Sequence, residues 1–248
     1  MKWLRLLTLG LAVGLVVCGC KKEGPEAEQE RPGKEVPMGN TLQWFGHASF
    51  RISYGDKVIY IDPWKLTDAP HDATAVLVSH SHYDHYSAKD FAKASGPGTK
   101  IVASTDVIRK EGKGQAIKPG EKIDLDGVSV TGVAAYNPNK RFHAKGNNWL
   151  GFIIEIGSVR IYYAGDTDLT DEMKALRDID IALLPVGGTY TMNGEEAAMA
   201  VEYIKPKQAI PYHWGDIVGE RSDADRFAET AKCNVKVLTP GESIEIGG

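Results

Sequence analysis

One short stretch constrains the fold of this chain more than any other, because it places four side chains of metal-ligand type directly behind a buried strand. The apolar run 75–78 predicts the strand, and Ser-His-Ser-His-Tyr-Asp-His follows it. If strand geometry continues, His80 and His82 point the same way, since side chains alternate with a period of two. Both could then bind one metal ion, while the loop beyond offers Asp84 and His85 to a second ion.

The chemistry of these side chains indicates which ions the stretch would bind. Imidazole and carboxylate groups together suit zinc, iron or manganese. The alternative is a surface loop that happens to be rich in histidine, but alternating ligand spacing behind a buried strand argues against it. We therefore expect two divalent metal ions, with zinc the first choice and manganese or iron the alternatives.

The string His-x-His-x-Asp-His over 80–85 is also the signature of the metallo-β-lactamase superfamily. From about Thr41 to its end, the chain resembles the metal-dependent hydrolases of that superfamily. It is similar to the small stand-alone L-ascorbate-6-phosphate lactonase and UPF0173 groups and does not resemble the drug-hydrolysing lactamases. The resemblance implies an α+β fold, a four-layer αββα sandwich with the metals at one edge between the sheets. Runs of short strands with few helices, repeated along the chain, agree with two packed sheets.

The resemblance implies three further metal ligands. Asp166, in a Gly-Asp-Thr motif, matches the carboxylate that bridges the two ions, and His213 matches the last ligand at a strand end. The loop 135–143 should supply a histidine to the first ion, and two residues compete for that position. Asn137 stands where the lactonase-like families place their histidine, but an asparagine oxygen is a weak ligand for zinc. We favour His143 on ligand chemistry and keep Asn137 as the alternative.

Other residues are expected to act around the metal ligands. In the resembling families, the aspartate at Asp62 lies beneath the metal site and orients a histidine ligand. His47, in a Gly-His-Ala-Ser segment, either lines the mouth of the active site or hydrogen-bonds a neighbouring loop. Lys140, Arg141 and Lys145 make one site loop basic, which would suit an anionic substrate, although a solvated loop is the preferred explanation for any one of them.

The first forty residues predict export and anchoring rather than folding. A short basic start precedes an apolar run over 6–17, which is too short to span a bilayer and is typical of a signal peptide. The following Val-Cys-Gly-Cys resembles the lipobox of bacterial lipoproteins, which implies cleavage before Cys20 and acylation of that cysteine. We predict a lipoprotein signal peptide over 1–19, a disordered tether over 20–39 and a hydrolase domain over 40–248. The predicted location is the cell envelope, lipid-anchored to a bacterial membrane.

These features together predict a metal-dependent hydrolase with a small-molecule substrate. The formal net charge of −4 over 248 residues gives no reason to expect a nucleic-acid partner. The expected mechanism uses a metal-bound hydroxide to cleave an ester, lactone or phosphodiester bond, while Asp84 holds the second metal and orients the nucleophile or accepts its proton. Two alternatives stay open. One is a membrane-anchored binding lipoprotein without turnover, and the other is an oxygen-handling diiron protein, which is disfavoured because the histidine motif contains no glutamate.

Overall fold

Short strands rich in buried apolar side chains form the framework of the described chain, which covers residues 39–247 of a computed structural model. The first six strands are β1 (Thr41–Gly46), β2 (Ser49–Tyr54), β3 (Lys57–Ile61), β4 (Ala73–Val78), β5 (Ser95–Ala103) and β6 (Gln115–Ala116). The other eight are β7 (Lys122–Asp124), β8 (Val128–Ala134), β9 (Leu150–Ile156), β10 (Val159–Tyr163), β11 (Ile181–Pro185), β12 (Gln208–Tyr212), β13 (Asn234–Val235) and β14 (Ser243–Glu245). The helices are α1 (Ala88–Ala94), α2 (Thr105–Glu111), α3 (Asp171–Lys174), α4 (Gly194–Ile204) and α5 (Arg221–Thr230).

The strands form two seven-stranded mixed sheets with similar internal order. The first sheet runs β14-β1-β2-β3-β4-β5-β6, and the second runs β13-β12-β11-β10-β9-β8-β7. In the first sheet, β1, β2 and β3 pair antiparallel, and β3, β4 and β5 pair parallel. The second sheet repeats this scheme, with β8, β9 and β10 antiparallel and β10, β11 and β12 parallel. The strands that point the same way therefore end at one edge of each sheet.

The main core lies between the two sheets and contains side chains from both. Phe50 of the first sheet contacts Tyr212 of the second, with ring centroids 5.6 Å apart, and Tyr212 stacks on Tyr163 at 5.1 Å. All three rings are fully buried. Burial of one such large side chain stabilises the fold by about 1.5–3 kcal/mol. A second, smaller cluster joins the outer face of the first sheet to α1 and α2, through Val78, Phe91 and Val107. This arrangement confirms the predicted αββα sandwich.

Local sequence signals explain several of the elements. The Ser87 hydroxyl accepts the backbone N–H of Asp90 at the start of α1, and the Thr170 hydroxyl accepts that of Met173 at the start of α3. The hairpin between β9 and β10 turns at Gly157, whose φ of 57° favours glycine. A Cβ at that position would also collide with the Tyr54 hydroxyl.

The end of the chain differs from the sequence-based expectation. The sequence over 235–238 predicts a closing strand, but β13 ends at Val235 and the last strand is β14, which pairs with β1. The reason is that β14 has only three residues, two of them exposed, so it carries almost no hydrophobic pattern.

The predicted signal peptide and most of the predicted tether, including Cys20, lie outside the described residues. Within residues 39–247, no helix is both long enough and apolar enough to cross a membrane.

Candidate metal centre

The site is built from residues that follow the ends of similarly directed strands. His47 follows β1, Asp62 follows β3, the histidine motif follows β4, Asn137 and His143 follow β8, Asp166 follows β10, and His213 follows β12. Because parallel strands present their carboxyl ends at one edge of a sheet, these residues meet although they are far apart in sequence. The two sheets contribute to the same cluster of side chains.

One group of side chains collects at the first predicted metal site. It consists of His80, His82, His143 and Asp166, whose ligand atoms all lie within 4.8 Å of one another. His80 Nε2 lies 3.1 Å from His82 Nδ1, and His143 Nε2 lies 3.2 Å from Asp166 Oδ2. The side chains of His80 and His82 therefore converge, as their alternating spacing predicts. Three imidazoles and one carboxylate are a donor set that binds zinc in proteins.

A second group lies on the other side of Asp166. It consists of His47, Asp84, His85 and His213, again with ligand atoms within 4.8 Å of one another. The Asp166 Oδ1 atom is 3.1 Å from His85 Nε2 and 3.2 Å from His213 Nε2. The two carboxylate oxygens of Asp166 thus face different groups of histidines. All seven predicted metal ligands are brought into these two groups, and His47 joins them.

The polar atoms at the centre fit a bound cation. His85 Nε2, His143 Nε2, His213 Nε2 and Asp166 Oδ1 are buried and have no hydrogen-bond partner. Although the carboxylate oxygens are close, the geometry is not that of hydrogen bonds. Leaving a buried polar atom unpaired costs about 1–3 kcal/mol. Four such atoms in one place therefore indicate a binding partner that is not part of the chain. Divalent cations bind this combination of nitrogen and oxygen atoms.

Burial and neighbouring charges set the protonation of the central groups. Burial lowers the pKa of His80 well below its usual value, and the charge of His85 adds to this effect. Burial also lowers the pKa of His82. For Asp166, burial opposes ionisation, but the nearby His213 and His85 outweigh it and hold the pKa well below its usual value. These shifts favour neutral imidazoles at His80 and His82 and an ionised carboxylate at Asp166, which are the forms in which such side chains bind metals.

Asp62 forms a second layer beneath the histidine motif. Its Oδ2 atom lies 2.7 Å from His85 Nδ1, and it also accepts hydrogen bonds from the Ser79 hydroxyl at 2.5 Å and the Tyr163 hydroxyl at 2.6 Å. Its Oδ1 accepts the backbone N–H of Ser79 at 2.7 Å. A carboxylate on Nδ1 of His85 fixes the tautomer that leaves Nε2 available to a metal. The structure thus places Asp62 where the resemblance implied.

Asn137 and His143, the two candidates for one ligand position, occupy different layers. His143 Nε2 faces Asp166, whereas Asn137 Oδ1 accepts the backbone N–H of His143 at 3.0 Å and lies 2.7 Å from His143 Nδ1. The Asn137 amide also donates to the backbone oxygen of Tyr190 at 2.9 Å. The geometry therefore favours His143 as the ligand and places Asn137 behind it as the group that orients the imidazole.

His47 is buried in the site and does not line the mouth. Its Nε2 atom lies 2.9 Å from Asp84 Oδ2, and its backbone oxygen accepts the N–H of His213 at 3.0 Å. Burial lowers the pKa of His47 despite the hydrogen bond with Asp84. Of the two interpretations of this residue, the hydrogen bond to a neighbouring loop matches the structure. Six of the seven histidines in the chain are used in this one centre.

Sequence reasoning did not identify several residues around the centre. Trp149 packs against His80 and His82, with both pairs of ring centroids 4.7 Å apart, and its indole N–H donates to Asp106 at 2.9 Å. An open cavity of about 420 Å³ leads to the metal-ligand side chains. It is lined by His82, Tyr83, Asp84, Arg141, Phe142, His143, Asp166, Tyr190, His213 and Ile217. The sequence already indicated Arg141 as one of the cations of a site loop, whereas only the proximity of Tyr83 and Phe142 to predicted ligands in the sequence could have suggested their place.

Comparison with known proteins gives the same assignment as the geometry. Residues 41–213 match the family model described as a beta-lactamase superfamily domain. A UPF0173 metal-dependent hydrolase from Thermococcus onnurineus is 35% identical over 225 residues, which cover 83% of this chain and 99% of the relative. The structure of a metallo hydrolase from Ignicoccus hospitalis has a TM-score of 0.69 at 25% identity, covering 84% of this chain and 98% of that one.

A more distant likeness extends only to the fold. A diiron β-hydroxylase from Streptomyces venezuelae has a TM-score of 0.67 at 14% identity, and the match covers 85% of this chain and 55% of that one. The fold alone therefore does not decide between hydrolysis and oxygen chemistry, but the sequence relatives do. The chain belongs to the UPF0173 metal-dependent hydrolase family of the metallo-β-lactamase superfamily.

Proposed function

We propose that this hydrolase uses two divalent cations, with zinc the first choice, held on either side of one bridging carboxylate. The first ion would be bound by His80, His82 and His143, the second by Asp84, His85 and His213, and both by Asp166. The observation that carries the proposal is the position of Asp166, whose two oxygens face different groups of histidines at 3.1–3.2 Å. One carboxylate between two cations offsets their mutual repulsion, as two-metal hydrolytic sites require.

The proposed reaction is hydrolysis of an ester, lactone or phosphodiester bond in a small molecule. When bound, the ions would lower the pKa of a water molecule and polarise the oxygen of the bond to be cleaved. Asp84 lines the cavity, and His47 holds its Oδ2 atom at 2.9 Å. The other carboxylate oxygen can then orient the attacking water and accept its proton. Asp62 and Asn137 would keep the imidazoles of His85 and His143 in the orientation that binding requires.

Nothing in the described residues favours the alternative of a binding protein without turnover. Each ion would have a full set of ligands. The first would have three imidazoles and the Asp166 carboxylate, and the second would have the His85 and His213 imidazoles with the Asp84 and Asp166 carboxylates. The cavity also reaches ligands of both groups, among them His143 and His213, so a substrate could approach either ion.

Metal counting tests the two-cation proposal. Wild-type protein should bind two equivalents of zinc, measured by mass spectrometry after removal of loosely held metal. Asp166→Ala should bind fewer and lose hydrolysis in a lactonase and phosphodiesterase screen, because one substitution removes contacts to both ions. Asp171→Ala is the matched control, since this nearby carboxylate is exposed on α3. Two equivalents and full activity in Asp166→Ala would overturn the bridging role.

We further propose that the hydrolase domain is held at a membrane surface by a lipid on Cys20. The support is the sequence pattern, in which an apolar segment ends in Val-Cys-Gly-Cys and is followed by a charged stretch with three prolines. More than one acyl chain gives stable anchoring, whereas a single chain does not.

A further inference from the structure

The loop that carries His143 contains three cations, and the structure gives them different roles. The Lys140 ammonium donates to Asp168 Oδ1 at 2.8 Å and to the backbone oxygens of Gly188 and Thr191 at 3.0 and 2.6 Å. It therefore fastens the loop to its neighbours, and its side chain is mostly covered.

Lys145 is also committed to the protein. Its ammonium lies 2.8 Å from Glu172 Oε1 and stands over the Tyr136 ring, 4.6 Å from the centroid. Arg141 is the exception. Among residues 39–247 it has neither an ion pair nor a side-chain hydrogen bond, and it lines the cavity that leads to the metal ligands. Of the three cations, Arg141 alone is left to bind a group that comes from outside the chain.

Exposed apolar side chains also line the same cavity. Five large hydrophobic side chains are exposed in the described chain, and Tyr83, Phe142 and Ile217 among them line this cavity. The Phe142 ring meets the Tyr190 ring edge to face, with centroids 4.8 Å apart and planes at 87°. Exposed apolar side chains gathered at one concave site mark a binding surface, whereas scattered ones need no explanation.

We propose that the substrate is a small molecule in which a flat apolar body carries a carboxylate or phosphate group. Arg141 binds the anion, and Phe142 with Tyr190 packs against the apolar body. This proposal rests on the proposed hydrolytic function only in taking the ligand of this cavity to be the substrate. Guanidinium groups recognise carboxylate and phosphate through paired hydrogen bonds. The cavity of about 420 Å³ is within the range of about 300–1,000 Å³ that is typical of small-molecule sites.

Binding of three probes to the zinc-loaded full-length protein tests this specificity. The probes are 3-phenylpropionate, its neutral amide, and phenyl phosphate, titrated by calorimetry. Arg141→Ala removes the guanidinium and should lower the affinity for 3-phenylpropionate or phenyl phosphate by about 10–100-fold, the range for a hydrogen bond to a charged group. The affinity for the neutral amide should stay unchanged. Arg141→Lys should recover part of the loss, because the charge returns without the paired geometry. The anion whose affinity falls more in Arg141→Ala carries the group that the site prefers.

Two further variants separate the roles. Phe142→Ala should weaken the amide and the anions by similar factors, since it removes only the apolar contact. Arg109→Ala is the control, because Arg109 is an exposed arginine on α2 outside the cavity. Repeating the titrations on zinc-free protein shows how much of the anion affinity comes from the metal centre.

The result that overturns the proposal is an Arg141→Ala protein that binds the anions as tightly as wild type, or that loses anions and amide equally. Failure of wild type to bind either anion at millimolar concentration would overturn it as well. These outcomes are independent of turnover. A protein that binds the anions through Arg141 but shows no hydrolysis and no second zinc would contradict only the proposed two-metal function.

Discussion

Replacing Asn137 by alanine should weaken metal binding at the first site although Asn137 itself faces away from the metal. Its Oδ1 atom is the partner of two groups of His143, the backbone N–H at 3.0 Å and the ring Nδ1 at 2.7 Å. Both residues are buried, so water cannot readily replace the lost oxygen. The His143 imidazole would lose the contact that fixes its tautomer and its orientation.

The expected size of the effect follows from these contacts. Loss of an outer partner of a metal-binding histidine commonly costs about 10–100-fold in metal affinity. That range corresponds to about 1.4–2.7 kcal/mol, and one buried donor left unpaired costs about 1–3 kcal/mol. The two values agree, so the loss of the His143 Nδ1 contact is sufficient to account for the change. His143→Ala should cost more than Asn137→Ala, since it removes the ligand itself.

The assay is a zinc titration in competition with a chromophoric chelator, with thermal unfolding recorded in parallel to detect loss of folding. Asn139→Ala is a matched control, because that side chain lies in the same loop and is exposed. Asn137→Asp keeps the oxygen that faces His143 but loses the donor to the Tyr190 oxygen, so it should retain more affinity than Asn137→Ala. An Asn137→Ala protein with wild-type zinc affinity would refute the orienting role. If His143→Ala also kept that affinity, His143 would not be a ligand.

Two other predictions concern the anchor and the acid stability of the fold. Cys20→Ala should release the protein from the membrane fraction or leave an unprocessed precursor, and normal processing with full membrane retention would contradict the lipid anchor. For Asp90, burial opposes ionisation, but hydrogen bonds from Lys93, Ser87 and Lys65 lower its pKa below the usual value. Its contribution to stability is therefore complete above the unfolded value of about 3.9 and is lost as pH falls through the lower folded pKa. Chemical unfolding of wild type and Asp90→Asn should differ most at neutral pH and converge in acid, and a constant difference would rule out this linkage.

The metal-ligand motif was predictable because its information is local. His80 and His82 are two residues apart behind an apolar strand, and a period of two is enough to bring their side chains together. Their nitrogens lie 3.1 Å apart in the structure. The two-sheet architecture was predictable for a similar reason, since hairpins at Gly55 and Gly157 and apolar strands are each marked within a few residues.

Which of Asn137 and His143 faces the metal could not be derived from the sequence in the same way. Asn137 stands nearer the end of β8, and His143 six residues later has the better ligand, so position and chemistry point to different residues. The answer depends on how the loop folds back, with the backbone N–H of Asn137 donating to the His143 oxygen at 2.8 Å. Neither this hydrogen bond nor the one from Lys140 to Asp168 can be predicted from the sequence, because the spacing of the residues matches neither helix nor strand periodicity.

The position of His47 also could not be derived from local sequence patterns. The sequence left two alternatives, that His47 lines the mouth or that it hydrogen-bonds a neighbouring loop, and in the structure it is buried against Asp84, 37 positions further along the chain. The signal that could have placed it is topological. β1 points the same way as β3 and β4, so the residue after β1 reaches the edge where Asp62 and the histidine motif lie. That inference needs the strand order, which depends on pairings between distant segments.

The core between the two sheets stabilises the sandwich independently of the metal centre. Four buried atoms without hydrogen bonds would cost roughly 4–12 kcal/mol at about 1–3 kcal/mol each, which is comparable to the whole stability of an ordinary domain. The core between the sheets contains large, fully buried rings such as Phe50, Tyr163 and Tyr212, which offset such a cost. Cations at the edge would pair those atoms and connect His85 and His213, which follow strands of different sheets. Metal binding should therefore also stabilise the fold, because the ions bind only when the ligands from both sheets are brought together.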